Sequence, residues 1–227
     1  MTLQMVKHRA GKTDTAAIEV SDLVIAGWTG RDSADLQHHI DELKRIGVKP
    51  PTKVPLFYRV DRGLITTESA IDVVGPDTSG EVETVIFSAG GLWIGLGSDH
   101  TDRAAEAHSV PLSKQLCRKV VAPGLWPFEE IAQHWDQLIL RAHTVRGSAR
   151  QLYQEGPTAV IRHPRDLMER YTGGSATLPE GTVMFCGTQP AIGGIAPADR
   201  FEMELVDPVL KRSLHAAYDI RALPLVQ

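Results

Sequence analysis

Glu81 and Glu83 are separated by a single residue in the run Ser79-Gly80-Glu81-Val82-Glu83-Thr84-Val85-Ile86-Phe87, and a third acid follows at Asp99, in Ser98-Asp99-His100-Thr101-Asp102-Arg103. On a strand, alternate side chains share a face, so the two glutamates project together about 7 Å apart while Val82 and Thr84 take the other side. Carboxylates that close repel, and burying them without a counter-charge is costly. A divalent cation resolves the conflict. The apolar run Leu92-Trp93-Ile94-Gly95-Leu96-Gly97 reads as a hairpin partner across the Ala89-Gly90-Gly91 turn, which brings Asp99 back beside the glutamates. Three oxygen donors suit Mg²⁺, or else Mn²⁺ or Ca²⁺, whereas zinc favours nitrogen and sulfur. A solvated edge strand would account for the glutamate pair alone, and Asp99 weighs against it.

The elements that must position these groups are mainly strands. Residues 1–15 read as a flexible or edge segment, and Ile18 to Ala26 as a strand stopped by Gly27-Trp28-Thr29-Gly30. From Asp32 a helix is signalled by Leu36, Ile40 and Leu43, closing at Gly47 before Pro50-Pro51. Short β-rich runs follow at Leu56 to Val60, Ala70 to Val74, Glu83 to Phe87 and Leu92 to Leu96. Further strands are predicted at Asp136 to Val145, Thr182 to Cys186 and Arg200 to Leu205, with helices in Pro127 to Ile131 and Pro164 to Tyr171. The pattern predicts an α+β, β-dominated fold. Residues 1–50 form an N-terminal strand and helix segment, and residues 51–227 the core.

With 227 residues the chain can bury a substantial core. Its 28 acidic and 24 basic residues form no block of like charge, which gives nucleic-acid or anionic-membrane binding no electrostatic support. Met1 to Thr15 lacks the apolar stretch of a signal peptide, and no run approaches the ~18 apolar residues of a membrane span, so a cytoplasmic protein is expected. Cys117 and Cys186 are far apart and outside any CxxC pattern, which predicts isolated reduced thiols.

Over most of its length the chain resembles the fumarylacetoacetate hydrolase family, and within it the DUF2848 branch. The Glu-x-Glu strand, followed by an Asp-to-Arg motif at Asp99 to Arg103, is similar to the family's metal-binding signature, with Ser98 where the family has asparagine. Thr177 to Pro190 resembles its leucine, Pro-Gly-Asp, Gly-Thr-Pro signature, but lacks the aspartate at Glu180-Gly181-Thr182 and carries Gln189 between Thr188 and Pro190. The resemblance implies a mixed β-sandwich or roll with a few peripheral helices. It makes residues 51–227 a catalytic core and residues 1–50 an active-site lid. Glu81, Glu83 and Asp99 become metal ligands, and Thr188 with the inserted Gln189 becomes a substrate-binding site. A homodimer is implied as well.

His39-Ile40-Asp41-Glu42 ahead of Pro51-Thr52-Lys53-Val54-Pro55-Leu56-Phe57 is similar to the His-x-x-Glu helix and proline segment of hydrolytic members. His39 and Glu42 lie about one helical turn apart, so a carboxylate can orient an imidazole as general base, with His38 the alternative imidazole. Lys114 fits the family lysine, with Lys119 the alternative, and Arg59 fits its substrate-facing basic residue. The expected activity is metal-dependent hydrolysis of a C–C bond in a small acylpyruvate-like dioxo or oxo carboxylate. Decarboxylase, isomerase or hydratase chemistry is the alternative if the dyad is absent, and a non-catalytic metabolite-binding protein is the alternative of another class.

Overall fold

Val82–Ser88 is buried at every position, which a strand achieves only when both of its faces are covered. The computed structural model describes residues 1–32, 51 and 53–226. Its strands are β1 (Thr2–Arg9), β2 (Lys12–Glu19), β3 (Asp22–Gly27), β4 (Leu56–Val60), β5 (Ile65–Thr66), β6 (Ala70–Val74), β7 (Thr78–Ser79), β8 (Val82–Ser88), β9 (Leu92–Asp99), β10 (Thr101–Asp102), β11 (Lys119–Val121), β12 (Gly124–Pro127), β13 (Ile139–Arg146), β14 (Ala149–Pro157), β15 (Thr182–Phe185), β16 (Arg200–Asp207) and β17 (Arg212–Leu223). Among the described residues four short α-helices accompany them: α1 (Arg103–Glu106), α2 (Val110–Leu116), α3 (Phe128–Ile131) and α4 (Pro164–Thr172).

Eight strands of a ten-stranded sheet run in the order β2-β1-β12-β9-β8-β15-β3-β4, and β11 joins it through β9 and carries β5. A five-stranded sheet, β14-β13-β16-β17-β6, packs across it, and β7 and β10 form a small ribbon. Between the sheets lie Val82, Ile86, Ile94 and Leu96 from the larger and Leu140, Phe201, Leu205 and Tyr218 from the smaller. The opposite face of the larger sheet buries a second core of Met5, Ile25, Ile65, Val85, Phe87 and Phe185. Strands from across the sheet contribute to that core, so the sheet wraps around it. The result is the expected β-dominated α+β sandwich with peripheral helices.

The β8–β9 hairpin forms as the sequence indicates, with Phe87 opposite Trp93 and Glu83 opposite Gly97. Its turn places Gly90 and Gly91 at φ 62° and 130°, where a side chain would be strained. Elsewhere the structure departs from expectation. Residues 1–15 are no loose segment: β1 pairs with both β2 and β12, leaving only β2 at the edge. The strand expected over Ile18 to Ala26 is interrupted at Val20-Ser21, where the Ser21 amide turns to the Gly181 carbonyl. The strand expected from Asp136 begins at Ile139, because Ala132–Gln137 winds as a 3₁₀ segment. β3, from the first 50 residues, lies inside the larger sheet between β15 and β4. The helix signalled after Asp32 lies outside the described residues.

Candidate metal centre

Glu81 immediately precedes β8, and its carbonyl accepts the Asp99 amide at 3.0 Å, which clamps the start of one strand to the end of its hairpin partner. One oxygen from each of Glu81, Glu83 and Asp99 thereby comes within 4.8 Å of the others. Glu83 and Asp99 are fully buried, while the Glu81 side chain keeps 15% exposure.

Among the described residues three cations surround the acids. Lys114, in the last turn of α2, places Nζ 2.8 Å from Glu81 Oε2 and 2.6 Å from Asp99 Oδ2, and donates to Thr101 Oγ1 at 3.1 Å. Lys119 lies opposite Asp99 in the β11–β9 register, with Nζ 2.7 Å from Asp99 Oδ1 and 2.7 Å from the His100 carbonyl. Arg103, the first residue of α1, donates to Glu81 Oε1 at 2.9 Å, Glu106 Oε2 at 2.7 Å and Ser79 Oγ at 2.7 Å. Asp102 caps that helix by accepting the Ala105 amide at 2.8 Å, so the second acid of the motif is structural. Burial alone would push the Glu81 carboxyl up, but Lys114 and Arg103 hold it well below the usual carboxylate range. Burial likewise disfavours the Lys114 ammonium, and Asp99 and Glu81 overcome it, raising the group above its ordinary range.

Among the described residues no cation pairs directly with Glu83. Its Oε2 accepts the Gly187 amide at 2.6 Å, and burial together with the charges of Asp99 and Glu81 pushes its carboxyl well above 4.5. Gly187 is required there: at φ 100° a Cβ would meet Thr29 Oγ1 at 1.8 Å. Both Asp99 oxygens sit at ion-pair distance from an ammonium, yet neither contact is aligned as a hydrogen bond, so their lone pairs remain available. A repelled buried glutamate, open aspartate lone pairs and an all-oxygen donor set fit a hard divalent cation.

Behind the acids runs a chain of neutral hydrogen bonds. Ser98 Oγ accepts the Glu81 amide at 3.2 Å and meets Tyr218 Oη at 2.8 Å. Tyr218 Oη in turn meets His100 Nδ1 at 2.9 Å, and His100 Nε2 meets Thr78 Oγ1 at 2.9 Å. Burial, reinforced by Lys119 and Arg103, pushes His100 down to about 3, so its imidazole is neutral. Sequence reasoning passed over Tyr218 and Thr78, which come from strands with no local motif.

The remaining candidates fare differently. Both lysines face Asp99, so the choice between them dissolves. The Arg59 guanidinium instead pairs with Asp22 and is exposed, which removes it from the cluster. Its neighbour Tyr58, pointing to the other side of β4, receives a hydrogen bond from Trp28 Nε1 at 3.1 Å; burial raises its hydroxyl, and it lies within the fields of Lys114 and Glu106. The Thr188 hydroxyl donates to the Val82 carbonyl at 2.8 Å and accepts from Gln154 Nε2 at 2.8 Å, so its proton is committed and it cannot donate to a substrate carboxylate as it stands. Gln189 is 5% exposed and donates to the Pro157 carbonyl at 3.1 Å, tying its loop to β14. His39, its alternative His38, and Glu42 lie outside the described residues. Asp77, Thr78, Arg103, Ala104, Ile195 and Pro197 line an open hollow of about 320 Å³ that shares Arg103 with the cluster, and a larger one of about 680 Å³ lies over Trp126 and Arg212; none of the three acids lines either.

The fold is shared with solved structures of low sequence identity. A yeast fumarylacetoacetate hydrolase family protein is 15% identical, with a TM-score of 0.64 and 91% of this chain and 95% of that one covered. A candidate fumarylpyruvate hydrolase from Burkholderia cenocepacia is 18% identical, with a TM-score of 0.62 and 99% and 97% covered. A 2-keto-3-deoxy-D-arabinonate dehydratase is 16% identical, with a TM-score of 0.64 and 95% and 77% covered. No curated protein sequence matches the chain. The profile of DUF2848, described as a protein of unknown function, matches residues 26–218, so the chain belongs to the DUF2848 family and has the fumarylacetoacetate hydrolase fold.

Proposed function

We propose that this protein is a divalent-metal-dependent hydrolase that cleaves a C–C bond in a small acylpyruvate-like dioxo or oxo carboxylate. The observation that carries the reading is the convergence of Glu81, Glu83 and Asp99 within 4.8 Å, ringed by cations. Those three carboxylates would hold the ion, Mg²⁺ by donor chemistry or else Mn²⁺ or Ca²⁺. When bound, the ion supplies electrostatic stabilisation of negative charge developing on the substrate. Arg103 fixes one oxygen of Glu81, and the Gly187 amide fixes Glu83. With Glu106 included, four carboxylates stand against Arg103, Lys114 and Lys119, so adding a dication leaves one surplus positive charge for an anionic substrate. The cavity beside Arg103 is of small-molecule size. His39, oriented by Glu42, takes a proton from water as it adds to the substrate's second carbonyl. The C–C bond then breaks, and the departing carbon takes up a proton. A cytoplasmic homodimer belongs to the same proposal. No helix among the described residues is long and apolar enough to cross a membrane.

Turnover of acylpyruvates by the purified protein, lost on chelation and restored by Mg²⁺, is the expected result. Full activity after metal stripping overturns the reading. His39→Ala should abolish hydrolysis and leave metal affinity intact; unchanged hydrolysis would remove the dyad from the mechanism, and no acylpyruvate turnover by the metal-loaded protein would move the proposal to decarboxylase, isomerase or hydratase chemistry. The dehydratase among the structural neighbours is the observation favouring that second reading.

A further inference from the structure

Three cations border the candidate metal centre, but they are not held alike. Arg103 is anchored by Ser79 and Glu106 as well as by Glu81. Lys119 is completely buried, fixed by the strand register, and bound to one Asp99 oxygen and the His100 carbonyl. Lys114 alone bridges two of the three acids, with Nζ 2.8 Å from Glu81 Oε2 and 2.6 Å from Asp99 Oδ2. It therefore stands where a cation shared by those two oxygens would stand.

We propose that Lys114 is a tethered competitor for the metal: its ammonium and the divalent ion occupy the Glu81–Asp99 bridge in turn, and Lys114 sets the affinity of the site. This rests on the metal-dependent reading above. A divalent ion binds carboxylate oxygens at about 2.0 to 2.6 Å, shorter than an ammonium's contacts, and cannot share the same bridge with a positive charge at that range. Lys114 is buried and also donates to Thr101 Oγ1 at 3.1 Å, so leaving gives up that bond too, but its carrier allows the move. It stands on a four-carbon stem at the end of a seven-residue helix whose Leu112 and Leu116 are 50% and 45% exposed, so α2 is a surface element. Glu106 lies within Lys114's electrostatic reach and keeps 24% side-chain exposure, which offers a partner on the solvent side. Arg103 and Lys119 stay behind to hold Glu81 and Asp99 in place.

Two measurements on the full chain test this. Calorimetric titration with MnCl₂ should show Lys114→Met binding Mn²⁺ about tenfold more tightly than the unaltered protein, within the range of changes around metal ligands. Reductive methylation followed by peptide mass spectrometry should find Lys114 protected after chelation and about tenfold more reactive in saturating Mg²⁺, a range comparable to the same effects. The second measurement needs no variant, so a folding defect in Lys114→Met does not obscure the outcome. Equal or weaker Mn²⁺ binding by a folded Lys114→Met, or unchanged Lys114 protection with Mg²⁺ demonstrably bound, overturns the exchange and leaves the metal reading intact. Binding by neither protein overturns the metal reading, and the exchange with it.

Discussion

Glu83 and Asp99 are both buried carboxylates, yet neutralising them should have opposite structural consequences. Asp99 faces two ammonium groups, so Asp99→Asn leaves Lys114 with Glu81 alone and buried Lys119 with no carboxylate among the described residues, and should cost about 3 to 5 kcal/mol, read by denaturant unfolding of metal-free protein. Among the described residues Glu83 accepts a backbone amide and is repelled by two carboxylates, with the Lys114 charge a smaller opposing influence. Glu83→Gln should therefore change metal-free stability by no more than about 1 kcal/mol while removing metal binding. Equal losses in the two variants would refute this division of roles. The acids themselves were legible because strand alternation and a two-glycine turn fix their placement from local sequence. Spacing could not choose between Lys114 and Lys119 because two different elements, α2 and β11, deliver them to opposite oxygens of Asp99. It also gave no sign that Thr188 spends its proton on Val82 or that Arg59 is drawn to Asp22, since both partners lie far along the chain.

At the scale of elements, β16 ends on a residue that anchors the next turn. Asp207 is fully buried, accepts the Val209 and Leu210 amides at 3.1 and 3.0 Å, and meets His134 and Arg212. Burial alone would raise its carboxyl, but the Leu210 amide and His134, with Arg212, hold it below the ordinary 3.8. A depressed folded value means that the stabilisation is complete above the unfolded value and drains away as pH falls through the folded one. Asp207→Asn should lose about 2 kcal/mol at pH 7 and show a flatter decline of stability below pH ~4, measured by unfolding across pH. An unchanged acid profile would remove Asp207 from that role. Strands with strong apolar patterns, such as β8, β9 and β15, were readable in advance. β14 and β17 were not, because their outward positions carry Arg, Gln, His and Asp and the inward positions of β14 include Gln154. β1 was hidden similarly, since it owes its place to pairing with β12 across more than a hundred residues.

Across the whole molecule, the two sheets sequester both thiols. Cys117 is pushed up to about 11 and Cys186 to about 12 by burial, and each is 1% exposed. Neither should react with a thiol reagent such as DTNB at pH 8 in the folded protein, and both should react at the rate of global unfolding. Rapid labelling of either would show a local opening of the sandwich. The contact between His100 and Tyr218 spans 118 residues of chain and crosses from one sheet to the other. During synthesis the three acids are therefore released well before the tyrosine that completes their backing. Once β17 docks, His100 is a neutral strut. Assembly of the centre is thus tied to a strand made more than a hundred residues after its acids, which leaves a nascent chain unable to present the finished acidic pocket before its second sheet is in place.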